Sequence, residues 1–184
     1  MSALMDVEGD RSEERANHTF VFLPIGTAIP DFKQVTSVSV VPFDDDGNIV
    51  AACLEHRGLD IPGGHVEPKH ATCEDTARDE TTEEICATLG ELRLVGVIES
   101  TMLRNSKPTY MVIYTSRVAS FEPLKFKKGE KSKGRKILIP EDFLRKHSGF
   151  PLMPEIVARA REIDQKERSP YAGQSTPTWA APVL

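Results

Sequence analysis

Cysteine, tryptophan and long apolar runs are all scarce in this chain, and each scarcity removes a class of protein. Its three cysteines, Cys53, Cys73 and Cys86, are an odd set without paired spacing, so neither a disulfide framework nor a zinc knuckle is indicated. A reducing, cytoplasmic setting is expected from that usage. The first seventeen residues mix acids and bases with no apolar stretch, so no secretory leader is expected. No later run is long enough to span a bilayer, and no membrane partner is expected. A formal charge of -5 leaves no general basic surface for coating nucleic acid.

What is present, 184 residues of which 39% are hydrophobic and 28% charged, suffices for one sizeable core and is too little for two ordinary enzyme domains. Residues 1–17 are polar and charged, and residues 169–184, which carry Trp179, are rich in Pro, Ser, Thr and Ala. Both are expected to be mobile tails around one domain over residues 18–168.

β-Branched runs at Val35 to Phe43 and Asn48 to Leu54, separated by Asp44-Asp45-Asp46-Gly47, predict a hairpin. Ile61-Pro62-Gly63-Gly64 then reads as a loop with a tight glycine bend. A helix is expected over Thr72 to Thr88, where Cys73, Ala77, Thr81, Ile85 and Thr88 recur at three- and four-residue spacing. Further strands are expected at Leu92 to Ile98, Tyr110 to Val118 and Ile137 to Ile139, with helices at Pro140 to Lys146 and Pro154 to Lys166. Such mixing favours a sheet with helices on its faces, an α/β fold.

The chemistry concentrates in Gly63-Gly64-His65-Val66-Glu67 and in Glu80-Thr81-Thr82-Glu83-Glu84. On a helix, Glu80, Glu83 and Glu84 share about a 100° arc, so three carboxylates are expected to converge. Left alone, such anions repel by about 0.2–0.5 kcal/mol per pair. A hard divalent cation reverses that sign, because Mg²⁺ takes oxygen ligands and keeps water positions that phosphate oxygens can fill. The plain alternative is a solvated acidic face. The upstream glycine pair, which lets backbone approach a ligand, and the apolar stripe, which orients the carboxylates, argue for the site.

From Ile61 to about Ala87 the sequence resembles the Nudix box: Gly, five residues, Glu, seven residues, Arg-Glu, an apolar residue, any residue, Glu-Glu, any residue, Gly. Counting forward from Gly64 puts His70 at the first glutamate and Arg78 at the arginine. Counting back from Glu83-Glu84 puts Asp79 at the arginine. One extra residue near Lys69 to Ala71 reconciles the two registers. In the family that arginine pairs with a neighbouring glutamate, and Arg78 could replace it only from a different angle. Cys86 stands at the box's last glycine, so the helix is expected to continue toward Gly90.

The resemblance implies an α/β/α sandwich with a mixed β-sheet and the box's loop and helix. It implies Mg²⁺, with Mn²⁺ as a substitute, on Glu80, Glu83 and Glu84. The activity implied is hydrolysis of a nucleoside diphosphate linked to another group, and relatives suggest a homodimer. Glu83, Glu80 and Glu67 are the catalytic candidates, and Glu130 is a candidate additional ligand by analogy with a late-loop glutamate in relatives. Arg57, which can either grip a diphosphate bidentately or make a surface salt bridge, joins Gly63 and Gly64 on the substrate side. His65 and His70 read as polar loop residues. The basic stretch from Lys125 to Lys136 is either a phosphate or RNA contact or a solvated hairpin tip. Two rival functions remain: a regulatory module that binds nucleotide without turnover, and an RNA-end hydrolase.

Overall fold

A computed structural model gives the architecture over residues 18–102, 107–125 and 132–168; both expected tails and Glu130 lie outside these residues. Strands β1 (His18–Phe22), β2 (Val35–Phe43), β3 (Ile49–Leu54), β4 (Gly58–Asp60) and β5 (Gly63–His65) precede helix α1 (Cys73–Ile85). Strands β6 (Ala87–Leu89), β7 (Arg93–Met102), β8 (Thr109–Phe121) and β9 (Ser132–Leu138) follow, and helices α2 (Pro140–Lys146) and α3 (Met153–Arg168) close the order. The sheet is mixed. β2 runs parallel to β8, while β7 pairs antiparallel with β8 and β1 antiparallel with β7.

Strand side chains alternate between faces, and this separates the two sides of the core. Val38, Val40, Val112 and Tyr114 pack with Cys73 and Ala77 of α1. Their neighbours Val41, Phe43 and Ile113 pack with Phe143 of α2 and with Met153, Ile156, Val157 and Ala160 of α3. The expected α/β/α sandwich is therefore present. Burying each large apolar side chain contributes about 1.5–3 kcal/mol. Among the described residues, no helix is long and apolar enough to cross a membrane.

The expected hairpin is only half formed. β2 and β3 pair at Phe43↔Ile49 alone and then diverge. Gly47 turns the chain at φ 85°, and Asp44 Oδ1 accepts hydrogen bonds from Asp46 N and Asn48 N. Beyond this base β3 pairs with β4 and β9, and β5 enters beside β2 with Ser37↔His65, Val38↔Gly64 and Ser39↔Gly63 in register.

Helix α1 also ends earlier than expected. Thr72 and Asp75 form a reciprocal capping box at its start. At its end Cys86 adopts a left-handed conformation, φ 48° and ψ 55°, where glycine is the usual residue. That conformation costs an L-residue about 1–2 kcal/mol. The cost is offset because Ala87 and Leu89, both buried, then leave the helix and pair with β8.

Candidate active site

Strand β5 crosses the inward face of α1, and its two glycines add no side chain to those of Glu80 and Glu84 that reach it from the helix. A Cβ on Gly63 would lie 2.6 Å from the Val38 carbonyl oxygen and 2.7 Å from Ser39 Cα. A Cβ on Gly64 would strike the Glu80 carboxylate. Neither glycine has a positive φ, so the expected tight bend is absent. These glycines instead permit close approach of strand and helix.

Under this strand, Glu84 is 6% exposed, and Gly63 N–H donates to its Oε2 at 3.0 Å. Burial pushes its carboxyl up to about 7. Glu80 and Asp60 add to the rise, while the Gly63 N–H and Arg57 oppose it. Asp60, which the sequence reading did not single out, is itself buried; its Oδ1 accepts from Ile61 N and its Oδ2 from Ser148 Oγ. Arg57 Nη1 stands 3.8 Å from Asp60 Oδ2, near enough to Glu84 to act on its charge.

Glu83 departs from the expected convergence. Its carboxylate is exposed and lies 3.3 Å from Lys69 Nζ. Among the described residues, no three His, Cys, Asp or Glu side chains gather closely enough to hold a metal. The structure thus brings together Glu80 and Glu84 with Gly63 and Gly64, and leaves Glu83 and Glu67 on the loop side, both paired with Lys69.

Two of the residues that break the box pattern, His70 and Asp79, meet each other. His70 is buried; its Nδ1 accepts from Glu67 N–H at 3.1 Å, so its Nε2 carries the hydrogen facing Asp79 Oδ2 at 3.0 Å. His70 is a polar residue of the loop, and buried there it buckles the loop to the helix. Lys69 Nζ lies 2.5 Å from the same Asp79 carboxylate. These two partners, Lys69 before His70, hold Asp79 below the usual carboxylate range. Arg78 is engaged elsewhere, donating to the carbonyls of Leu89 and Gly90, and does not substitute for the missing arginine.

The basic stretch has structural work in its described part. Arg135 Nη1 donates to the carbonyls of Ile85, Cys86 and Glu122, and Ser132 Oγ donates to Glu84 O at 2.5 Å. Lys133 pairs with Glu55 at 3.3 Å. The C-terminus of α1 is thereby capped from β9, while residues 126–131 of the stretch lie outside the described residues.

The donor chemistry fits a hard divalent cation. Glu80 and Glu84 present only oxygen, and the negative charge of the partly buried Glu80 and of Asp60 opposes ionisation of the buried Glu84. Mg²⁺ is commonly held through one or two carboxylates, with waters and phosphate oxygens completing its shell. Comparison with known proteins gives the class as a hydrolase of diphosphate bonds, acting on nucleoside diphosphate derivatives. The model of the NUDIX domain matches residues 33–159, and the chain belongs to that family.

Among solved structures, the Bacillus subtilis pyrophosphohydrolase BsRppH is 21% identical with a TM-score of 0.63, over 79% of this chain and 90% of that one. A NUDIX hydrolase from Nitrosomonas europaea is 19% identical with a TM-score of 0.58, over 76% and 99%. The NUDIX domain of Shewanella oneidensis NrtR, complexed with ADP ribose, is 17% identical with a TM-score of 0.56, over 83% and 97%. At these identities the likeness is one of fold. No curated protein sequence matches the chain.

Proposed function

We propose that this chain is a Mg²⁺-dependent pyrophosphohydrolase, with Mn²⁺ able to substitute, that cleaves a nucleoside diphosphate linked to another group through attack of water at phosphorus. The observation that carries this reading is the buried Glu84 carboxylate, held by Gly63 N–H beside Glu80 and Asp60. Glu80 and Glu84 would hold the ion, and Glu83, once free of Lys69, would complete the set. When bound, the ion supplies polarisation of a phosphoryl oxygen and a more acidic water.

The chain's own groups do the rest. Gly63 and Gly64, lacking side chains, let a diphosphate approach the helix face. Arg57 neutralises a phosphate oxygen at the same edge. One carboxylate on the open side, Glu67 when Glu83 is engaged with the ion, accepts the proton of the attacking water. Positioning and charge neutralisation supply much of the acceleration. A cytoplasmic setting accords with three free cysteines, and a homodimer is proposed from the family resemblance. Glu130 keeps its proposed place as an additional ligand.

The test incubates the chain with Mg²⁺ or Mn²⁺ and a panel of nucleoside triphosphates, nucleotide sugars, dinucleoside polyphosphates and capped or triphosphorylated RNA, with products identified by mass. Cleavage at a diphosphate bond, lost in Glu80→Gln and Glu84→Gln, is the expected result. The second reading, a nucleotide-binding module, is favoured by the Lys69 contact on Glu83, and ligand-dependent stabilisation without turnover would establish it. The RNA-end reading stands below both, because Lys133 and Arg135 already have protein partners. Steep salt dependence with RNA alone would restore it.

A further inference from the structure

Lys69 projects from the loop between β5 and α1 into a ring of carboxylates. Its Nζ is 2.5 Å from Asp79, 3.2 Å from Glu67 and 3.3 Å from Glu83. The loop backbone is anchored, since His70, next in sequence, is buried and bonded both to Glu67 N and to Asp79, so the ammonium leaves only by a turn of its own side chain. Glu83 nevertheless sits one residue from Glu84 and three from Glu80, on the helix that carries the two inward carboxylates. The site therefore holds an internal cation on the carboxylate that a divalent ion would need.

A half-exposed lysine is a flexible, strongly hydrated point charge, and ion pairs at such exposure exchange readily. A bare divalent ion approaching Glu83 meets a positive charge that can retreat only onto Asp79 and Glu67, its other partners, and so stays beside the site. An ion arriving with a diphosphate brings anionic oxygens that take the ammonium as it leaves. The two arrivals differ by the electrostatic cost of leaving Lys69 beside a divalent charge.

We propose that Lys69 is a displaceable internal cation that holds Glu83 until a divalent ion arrives together with a diphosphate, and then contacts that diphosphate. This rests on the metal reading of the preceding section. It gives the site a preference for the ion–diphosphate complex over the ion alone and assigns Lys69 as a substrate-contacting residue.

The test measures binding of Mn²⁺ to the full chain by electron paramagnetic resonance, first alone and then with ADP, for wild type, Lys69→Met and Lys69→Arg. Lys69→Met is expected to bind Mn²⁺ alone about tenfold more tightly, the order expected for removing one solvent-screened charge beside a divalent ion. It is expected to bind Mn²⁺ with ADP more weakly than wild type, and Lys69→Arg to stay near wild type in both. Equal or weaker affinity of Lys69→Met for Mn²⁺ alone overturns the displaced-cation role, and unchanged affinity with ADP overturns the diphosphate contact. Absence of Mn²⁺ binding by every protein, with and without ADP, sinks the metal reading and this proposal together. Unfolding temperatures of the three proteins, expected to agree because the side chain is half exposed, separate these outcomes from misfolding.

Discussion

Glu84 carries a charge that the fold has removed from water, and its cost and its use are the same fact. Its folded carboxyl sits at about 7, against an ordinary 4.5. A carboxyl raised in this way contributes fully below the unfolded value, and that contribution is lost as pH rises through the folded one. The chain in chelator is therefore expected to lose thermal stability between about pH 4.5 and pH 7 through this group, and Mg²⁺ to restore it at pH 8. Glu84→Gln should stabilise the chelated chain at pH 8 by about 1–3 kcal/mol while removing turnover, because an amide is cheaper to bury than an ionised carboxylate. Unfolding melts at the two pH values, with and without Mg²⁺, check both statements.

His70 and Asp79 make a second residue-scale case. Removing His70 leaves Glu67 N–H and Asp79 each short of a partner, so His70→Ala is expected to cost about 1–3 kcal/mol in denaturant unfolding. A His70→Glu, Asp79→Arg double variant exchanges donor and acceptor. It should recover part of the loss suffered by each single variant, with a coupling of about 0.5–3 kcal/mol between the positions. Additive losses would show that the two side chains do not act as a pair.

At the scale of elements, β5 and α1 define the site by how closely they pass. Gly63 and Gly64 are adjacent and extended, yet their substitutions should fail differently. A Cβ on Gly63 meets backbone, the Val38 carbonyl and Ser39 Cα, which cannot yield without moving β2. Gly63→Ala is expected to destabilise by about 1–3 kcal/mol. A Cβ on Gly64 meets the far end of the Glu80 side chain, which can turn aside. Gly64→Ala should keep most of its stability and lose activity as Glu80 is displaced, which paired unfolding and turnover assays would show. The pattern Gly-Gly before a helix was legible in sequence. The reason for it was not, because closeness to side chains of a helix further along the chain leaves no local mark. The helix start was equally legible, since Thr72 and Asp75 cap through neighbours in the chain. Its end was not: Cys86 turns left-handed to let Ala87 and Leu89 join β8, and Arg135 reaches back from β9 to take the freed carbonyls.

On the scale of the whole molecule, three remote segments are tied by one buried carboxylate. Asp164 of α3, 5% exposed, accepts from Arg117 Nε of β8 at 3.0 Å and from Arg168 Nε at 2.5 Å. Arg168 in turn donates to the carbonyls of Asp44 and Asp45 in the β2–β3 turn. Asp164→Ala should cost about 3 kcal/mol, since it leaves two guanidinium groups without their shared anion; chemical denaturation measures it. The sequence by itself determined the alternating strands that build a two-faced sheet, the helix with Glu80, Glu83 and Glu84 on one arc, and the glycines ahead of it. Those features depend on periods of two and 3.6 residues, which are local. Only the tertiary structure decided that Glu84 would be buried and Glu83 held by Lys69, that Asp60 would stand beside them, and that His70 would answer Asp79. Burial, charge pairing and acidity are set by whichever side chains the sheet brings together, and the chain separations involved carry no periodicity to read.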